Sequence, residues 1–133
     1  MIVIDTSVAV PAALTSHAAH QAARSALPRG RTRALAQVVV ETYSVLTRLP
    51  QRISPASAAT YVGELFEFPP LVLGQSRYRD LLELGAAAGV TGGEMYDAIV
   101  GATAADAGAT LLTRDGRAVA TYRLVGADFH LVA

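Results

Sequence analysis

The chain has 133 residues, 52% of them hydrophobic, with eleven acidic side chains against eleven basic ones and no cysteine. That length suits a single domain over 1–133 with a core of its own, while the missing thiols exclude a disulfide framework and a thiolate zinc site. Balanced charge gives no global positive field of the kind that gathers nucleic acid, and because all eleven bases are arginine, Schiff-base chemistry and any step needing an ammonium group are excluded as well.

Met1-Ile2-Val3-Ile4-Asp5-Thr6-Ser7 is a β-branched run that stops on a carboxylate followed by two hydroxyls. It predicts a parallel strand buried on both faces, with Thr6 or Ser7 capping the next helix and Asp5 at the strand's carboxyl end, the edge where open α/β sheets bind ligands. The start is no export signal, since it lacks basic residues and Asp5 interrupts the apolar run. Residues 6–23 carry no formal charge, but Pro11, Thr15, Ser16, His17, His20 and Gln21 make them too polar to span a bilayer. A soluble, cytoplasmic protein without a membrane segment is expected.

Helices are expected over 7–16 and 17–27, ended by the breaker cluster Leu27-Pro28-Arg29-Gly30. Arg24, Arg29, Arg31 and Arg33 crowd that turn and read first as solvated surface. Residues 34–37 form a short strand candidate leading into a helix over 38–49, where Val39, Tyr43 and Leu46 make one stripe and Glu41, Val45 and Arg48 another. Glu41 falls in the first turn of that helix, where the dipole favours an acid. Ser54-Pro55 is a cap followed by proline at the first helical position, and the helix runs over 55–67 to Pro69-Pro70. Leu71-Val72-Leu73 is a third strand, and 77–89 a helix with Leu81, Leu82 and Leu84, a stripe that reads as core and leaves room for a homodimer.

From Thr91-Gly92-Gly93-Glu94-Met95-Tyr96-Asp97 a small-residue helix runs to Gly108, suited to a carboxyl-terminal cap. Thr91 and Glu94 have capping-box spacing, which gives Glu94 a structural explanation that Asp97, one turn further on, lacks. Thr110-Leu111-Leu112-Thr113 is a fourth strand, and Asp115 follows it as Asp5 follows the first, although an Asp-Gly turn also accounts for it. Residues 127–132 make a last strand, in which His130 reads as structural.

Alternating strands and helices predict an α/β sheet. With crossover helices antiparallel to parallel strands, helix starts and strand ends share one edge, so Asp5, Glu41, Asp97 and Asp115 are delivered to one rim. Two carboxylates about 5 Å apart repel by about 3 kcal/mol at an effective dielectric near 20, and no lysine is present to neutralise them. Either some acids hold protons or a divalent cation sits among them, and oxygen-only ligation favours Mg²⁺ or Mn²⁺ over zinc. His17 and His20 have helix-face spacing but no carboxylate company and read as surface.

The pattern Ile-Asp5-Thr-Ser, Glu41 in an early helix, Tyr-Asp97-Ala-Ile, and Ala-Ala-Asp-Ala-Gly-Ala-Thr-Leu-Leu-Thr-Arg-Asp115 resembles the PIN-domain ribonucleases, specifically the VapC-type toxins of toxin–antitoxin pairs. The resemblance covers nearly the whole chain. It implies a PIN-like three-layer α/β fold with a central, mainly parallel sheet flanked by helices, a Mg²⁺ or Mn²⁺ site, endonucleolytic cleavage of RNA, and a cognate antitoxin as partner. It further implies Asp5, Glu41, Asp97 and Asp115 as the catalytic, metal-holding quartet, hydrogen-bonding support from Thr6, Ser7 and Thr113, and Glu94 as a possible additional acid. Arg48 and Arg114 are candidates for gripping substrate phosphate, or for pairing with the acids or a partner. An α/β phosphatase or phosphoacceptor domain would need a rim lysine, which the chain lacks. The remaining alternative is a catalytically silent module whose acidic pocket receives an arginine of a protein partner.

Overall fold

A computed structural model describes residues 1–133. In chain order the elements are β1 (Ile2–Ile4), α1 (Thr6–Ala13), α2 (His20–Ala26), β2 (Thr32–Leu35), α3 (Ala36–Arg48), α4 (Pro55–Leu65), β3 (Phe66–Leu71), α5 (Arg77–Ala88), α6 (Glu94–Asp106), β4 (Thr110–Thr113), a 3-10 turn (Gly116–Ala118), α7 (Val119–Leu124) and β5 (Asp128–Leu131). Every ladder is parallel: β1 pairs with β4 and β4 with β5, while β2 pairs with β3 and lies alongside β1. This is the expected α/β arrangement of a mainly parallel sheet flanked by helices.

The β1–β4 pair occupies the middle of the molecule, with Val3, Ile4 and Leu111 fully buried in one continuous core with Val8 of α1, Val38 of α3, Val100 of α6 and Tyr122 of α7. Strands covered on both faces in this way need apolar side chains at successive positions, which explains the Val3-Ile4 and Leu111-Leu112 pairs, while Ile2 at the start of β1 is exposed. Their register aligns Ile4 with Leu112, and the amide of Asp5 donates to the Leu112 carbonyl at 3.1 Å. The residues that follow the two strands therefore leave the sheet side by side.

Four local expectations need correction. Asp5, not Thr6 or Ser7, caps α1, its carboxylate accepting from the Ser7 amide at 3.0 Å. Helix α3 starts at Ala36, so Glu41 sits in its second turn and the dipole does not account for it; its buried stripe is Val38, Thr42 and Leu46, with Tyr43 exposed. The prolines do not end a helix ahead of a strand at 71–73, because α4 stops at Leu65 and β3 passes through Pro69 and Pro70. An edge strand tolerates proline, since one side of its backbone needs no donor. The register moves from Arg33↔Glu67 to Leu35↔Leu71, bulging the strand around the prolines, and Arg33 Nε donates to the Pro69 carbonyl at 2.9 Å. Finally, no capping box forms between Thr91 and Glu94: Gly93 precedes α6 with helical dihedrals and no side chain caps it. Gly108, at φ 65°, does terminate that helix as expected.

Candidate active site

At the carboxyl edge of β1 and β4 the chain opens into a cavity of about 880 Å³ whose lining includes Asp5, Glu41, Asp97 and Asp115. The four acids that lie far apart in sequence thus face one space. Thr6, Ser7, Arg48 and Arg114 line it too, together with Arg117 and Tyr122, which sequence reasoning missed. A shallower groove shares Glu41, Arg48 and Asp97 and extends between α3 and the start of α6 past Gly93 and Tyr96. Glu94 is exposed at the first position of α6, outside the lining of both, and acts on the site only through its charge on Asp97. His17 reaches the cavity rim, but its ring Nδ1 accepts from the Ala19 amide at 3.0 Å, whereas His20 lies against the Pro11 carbonyl and His130 is exposed on β5.

Each acid is held differently. Asp5 is almost fully buried, at 5% exposure. Its Oδ1 accepts from the amide and the hydroxyl of Ser7, and its Oδ2 from the Tyr122 hydroxyl at 2.7 Å. Burial raises its pKa above the ordinary carboxylate value, and the surrounding donors, Ser7 first, oppose that rise. Glu41 accepts from the Thr6 hydroxyl at 3.3 Å and from the Gln37 amide at 2.7 Å. Asp115 caps the 3-10 turn by accepting from the Arg117 amide at 2.9 Å, with Nε of the solvent-exposed Arg117 side chain 3.6 Å from the carboxylate as an ion pair. Such a pair contributes little.

Asp97 has no hydrogen-bond donor of its own among the side chains around it. Burial, and then the charges of Asp115, Glu41, Asp5 and Glu94, push its pKa up to about 6. The three hydroxyls named from the sequence each make hydrogen bonds beside these acids. Thr6 holds Glu41, Ser7 holds Asp5, and Thr113 accepts from the Asp115 amide at 3.1 Å while lying 3.3 Å from Ser7 Oγ. Ser7 Oγ also accepts from the Arg114 amide at 2.7 Å, which stitches the ends of β1 and β4 together. Arg114 Nε donates to the Ala133 carbonyl at 2.9 Å, so neither it nor Arg48 is ion-paired with the quartet.

The four carboxylates around the cavity offer oxygen donors, the chemistry of a hard divalent cation, with His17 and three arginines also in the lining. No three of its carboxylates or imidazoles already form a closed metal-binding group. The acids line the cavity instead, with Asp5 buried and Glu41, Asp97 and Asp115 half-buried.

The chain belongs to the PIN-domain family, whose model matches residues 2–124. Within it the resemblance is to VapC-type proteins. Ribonuclease VapC40 of Mycobacterium tuberculosis, in both strain H37Rv and strain CDC 1551 / Oshkosh, is 48% identical over 134 aligned positions that cover 99% of each chain. Ribonuclease VapC27 of M. tuberculosis H37Rv is 39% identical over 127 positions, 94% of this chain and 92% of its own.

Proposed function

We propose that this chain is a Mg²⁺- or Mn²⁺-dependent endoribonuclease acting in the cytoplasm as the toxin of a toxin–antitoxin pair. Family membership and the activity in the names of its relatives support the nuclease part. The observation that carries the metal part is the convergence of Asp5, Glu41, Asp97 and Asp115 on one cavity, where burial and the neighbouring acids raise the Asp97 pKa to about 6 and no lysine is present in the chain. A divalent ion bound among these carboxylates would favour the fully ionised set.

Asp5 and Asp97 would be the main holders, one fixed by the donors around it and the other carried on α6, with Glu41 and Asp115 completing the set. When bound, the ion supplies Lewis acidity toward phosphate and lowers the pKa of water near it. No histidine base is required. Ser7 and Thr113 fix the backbone between Asp5 and Asp115, and Thr6 aims Glu41. Arg48 and Arg114, at the mouth of the cavity, hold substrate phosphate as charge-assisted donors. Single-stranded RNA is the expected substrate, because its splayed bases and backbone can enter a surface cavity. A cognate antitoxin covers the site, and a homodimer uses exposed apolar residues such as Leu82 and Leu84 of α5.

Purified protein is expected to cleave a pool of single-stranded RNA oligonucleotides with Mg²⁺ or Mn²⁺ and to stop when EDTA is added. Asp97→Asn is expected to fold, by circular dichroism and melting temperature, and to be inactive. Cleavage undiminished by the chelator or by that substitution overturns the enzyme assignment. RNA left intact under every condition, with an arginine-bearing partner seated in the acidic cavity, would favour the silent module. Growth arrest on expression, relieved by the upstream neighbouring gene, tests the toxin role.

A further inference from the structure

Tyr122 lies on α7, an element that carries none of the cavity's acids, yet it is 1% exposed and its hydroxyl donates to Asp5 Oδ2 at 2.7 Å. Its ring is wedged against α6. A Cβ added at Gly101 would lie 2.9 Å from the ring's Cδ1 and 2.7 Å from Val125 Cγ2, so the two helices approach this closely only because that position has no side chain. Gly101 follows Asp97 by four residues, on the same helix face. One side chain therefore touches the face that carries Asp97 and ends on the carboxylate of Asp5.

The hydrogen-bond inventory of Asp5 gives this contact a role. An ionised carboxylate offers about four acceptor sites. Ser7 takes two on Oδ1 through its amide and hydroxyl, and Tyr122 takes one on Oδ2. The Thr113 hydroxyl is a further hydrogen-bonding neighbour of this carboxylate, and rotation of the carboxylate would break bonds at both oxygens.

We propose that Tyr122 is a positioning residue that fixes the orientation of the Asp5 carboxylate at the acid cavity and, through its packing on α6, the spacing between Asp5 and Asp97. The inference rests on the metal-dependent reading above and adds to it a support supplied by α7. Groups that orient a metal-holding carboxylate typically change metal affinity by about 10- to 100-fold when removed.

Calorimetric titration with Mn²⁺ compares the parent protein with Tyr122→Phe, which keeps the ring as a spacer and deletes only the hydroxyl. Tyr122→Phe is expected to bind Mn²⁺ about 10- to 100-fold more weakly, and the Mn²⁺ concentration giving half-maximal RNA cleavage should rise in parallel, with rate recovered at high Mn²⁺. Phe129→Leu serves as the packing control. Phe129 lies 6.1 Å from the Tyr122 ring centroid and makes no contact with the hydroxyl, so this variant should lower the melting temperature and leave Mn²⁺ affinity unchanged. Equal Mn²⁺ affinity in the parent and Tyr122→Phe overturns the positioning role alone. Weakening of the same size in Phe129→Leu reduces it to packing. A parent that binds no Mn²⁺ overturns both this inference and the metal-dependent reading beneath it.

Discussion

Asp97 is where the fold and its charges disagree. In the unfolded chain its carboxyl titrates near the ordinary value of 3.8, whereas in the fold burial and neighbouring acids move it to about 6. The native state thus binds this proton more tightly. The stabilisation is fully present below the unfolded value and is lost as pH rises through about 6. In EDTA, Asp97→Asn should therefore melt higher than the parent at pH 7.5, and the gap should close as pH falls toward 4, a trend that thermal scans across pH can read. Adding Mg²⁺ should raise the parent's melting temperature more at pH 7.5 than at pH 5, because an ion that binds only the native, ionised set stabilises it by mass action. The parent alone should show this response.

Among the elements, α6 does the most to place chemistry, and Gly101 is the residue on which its docking depends. Gly101→Ala adds about 1 kcal/mol of helix propensity but drives a methyl group into Tyr122 and Val125. Overpacking of this kind costs about 1 to 3 kcal/mol. The expected outcome is a lower melting temperature and a weaker metal site even though no acid has changed. At the first turn of α4, Ser54→Ala removes the oxygen that accepts from the Ser57 amide at 3.1 Å and should cost about 1 kcal/mol in denaturant unfolding. The parallel sheet and the acid rim were legible in the sequence because β1 and β4 are short apolar runs ending in a carboxylate, a signal that needs no tertiary knowledge. Other features were hidden for identifiable reasons. Pro69-Pro70 reads locally as a break, and only β3's place at an edge makes it strand. Thr91 and Glu94 have the spacing of a cap, yet Gly92 and Gly93 carry the chain into α6 without one. Tyr122 belongs to no motif. The one available hint was Gly101, a glycine in a helix interior, which marks close approach of a neighbour without saying which.

The whole molecule is organised by the pairing of its first strand with its fourth. Leu111, fully buried at the centre of that pair, should cost about 2 to 5 kcal/mol when cut to alanine, and the loss should appear as a global drop in stability, because the core around it is continuous from α1 to α7. Ser7 and Arg114, joined by a 2.7 Å hydrogen bond, are 107 positions apart. Contacts of such long sequence separation form late, since the entropy of closing the loop must be met before they stabilise anything. During synthesis, a ribosome that has made β1 to β3 has exposed Asp5 and Glu41 but has produced no partner strand for the first of them and neither Thr113 nor Asp115. The acid cavity is therefore assembled only once the last third of the chain, which supplies Asp97, Asp115 and Tyr122, has been made and has packed beside the amino terminus.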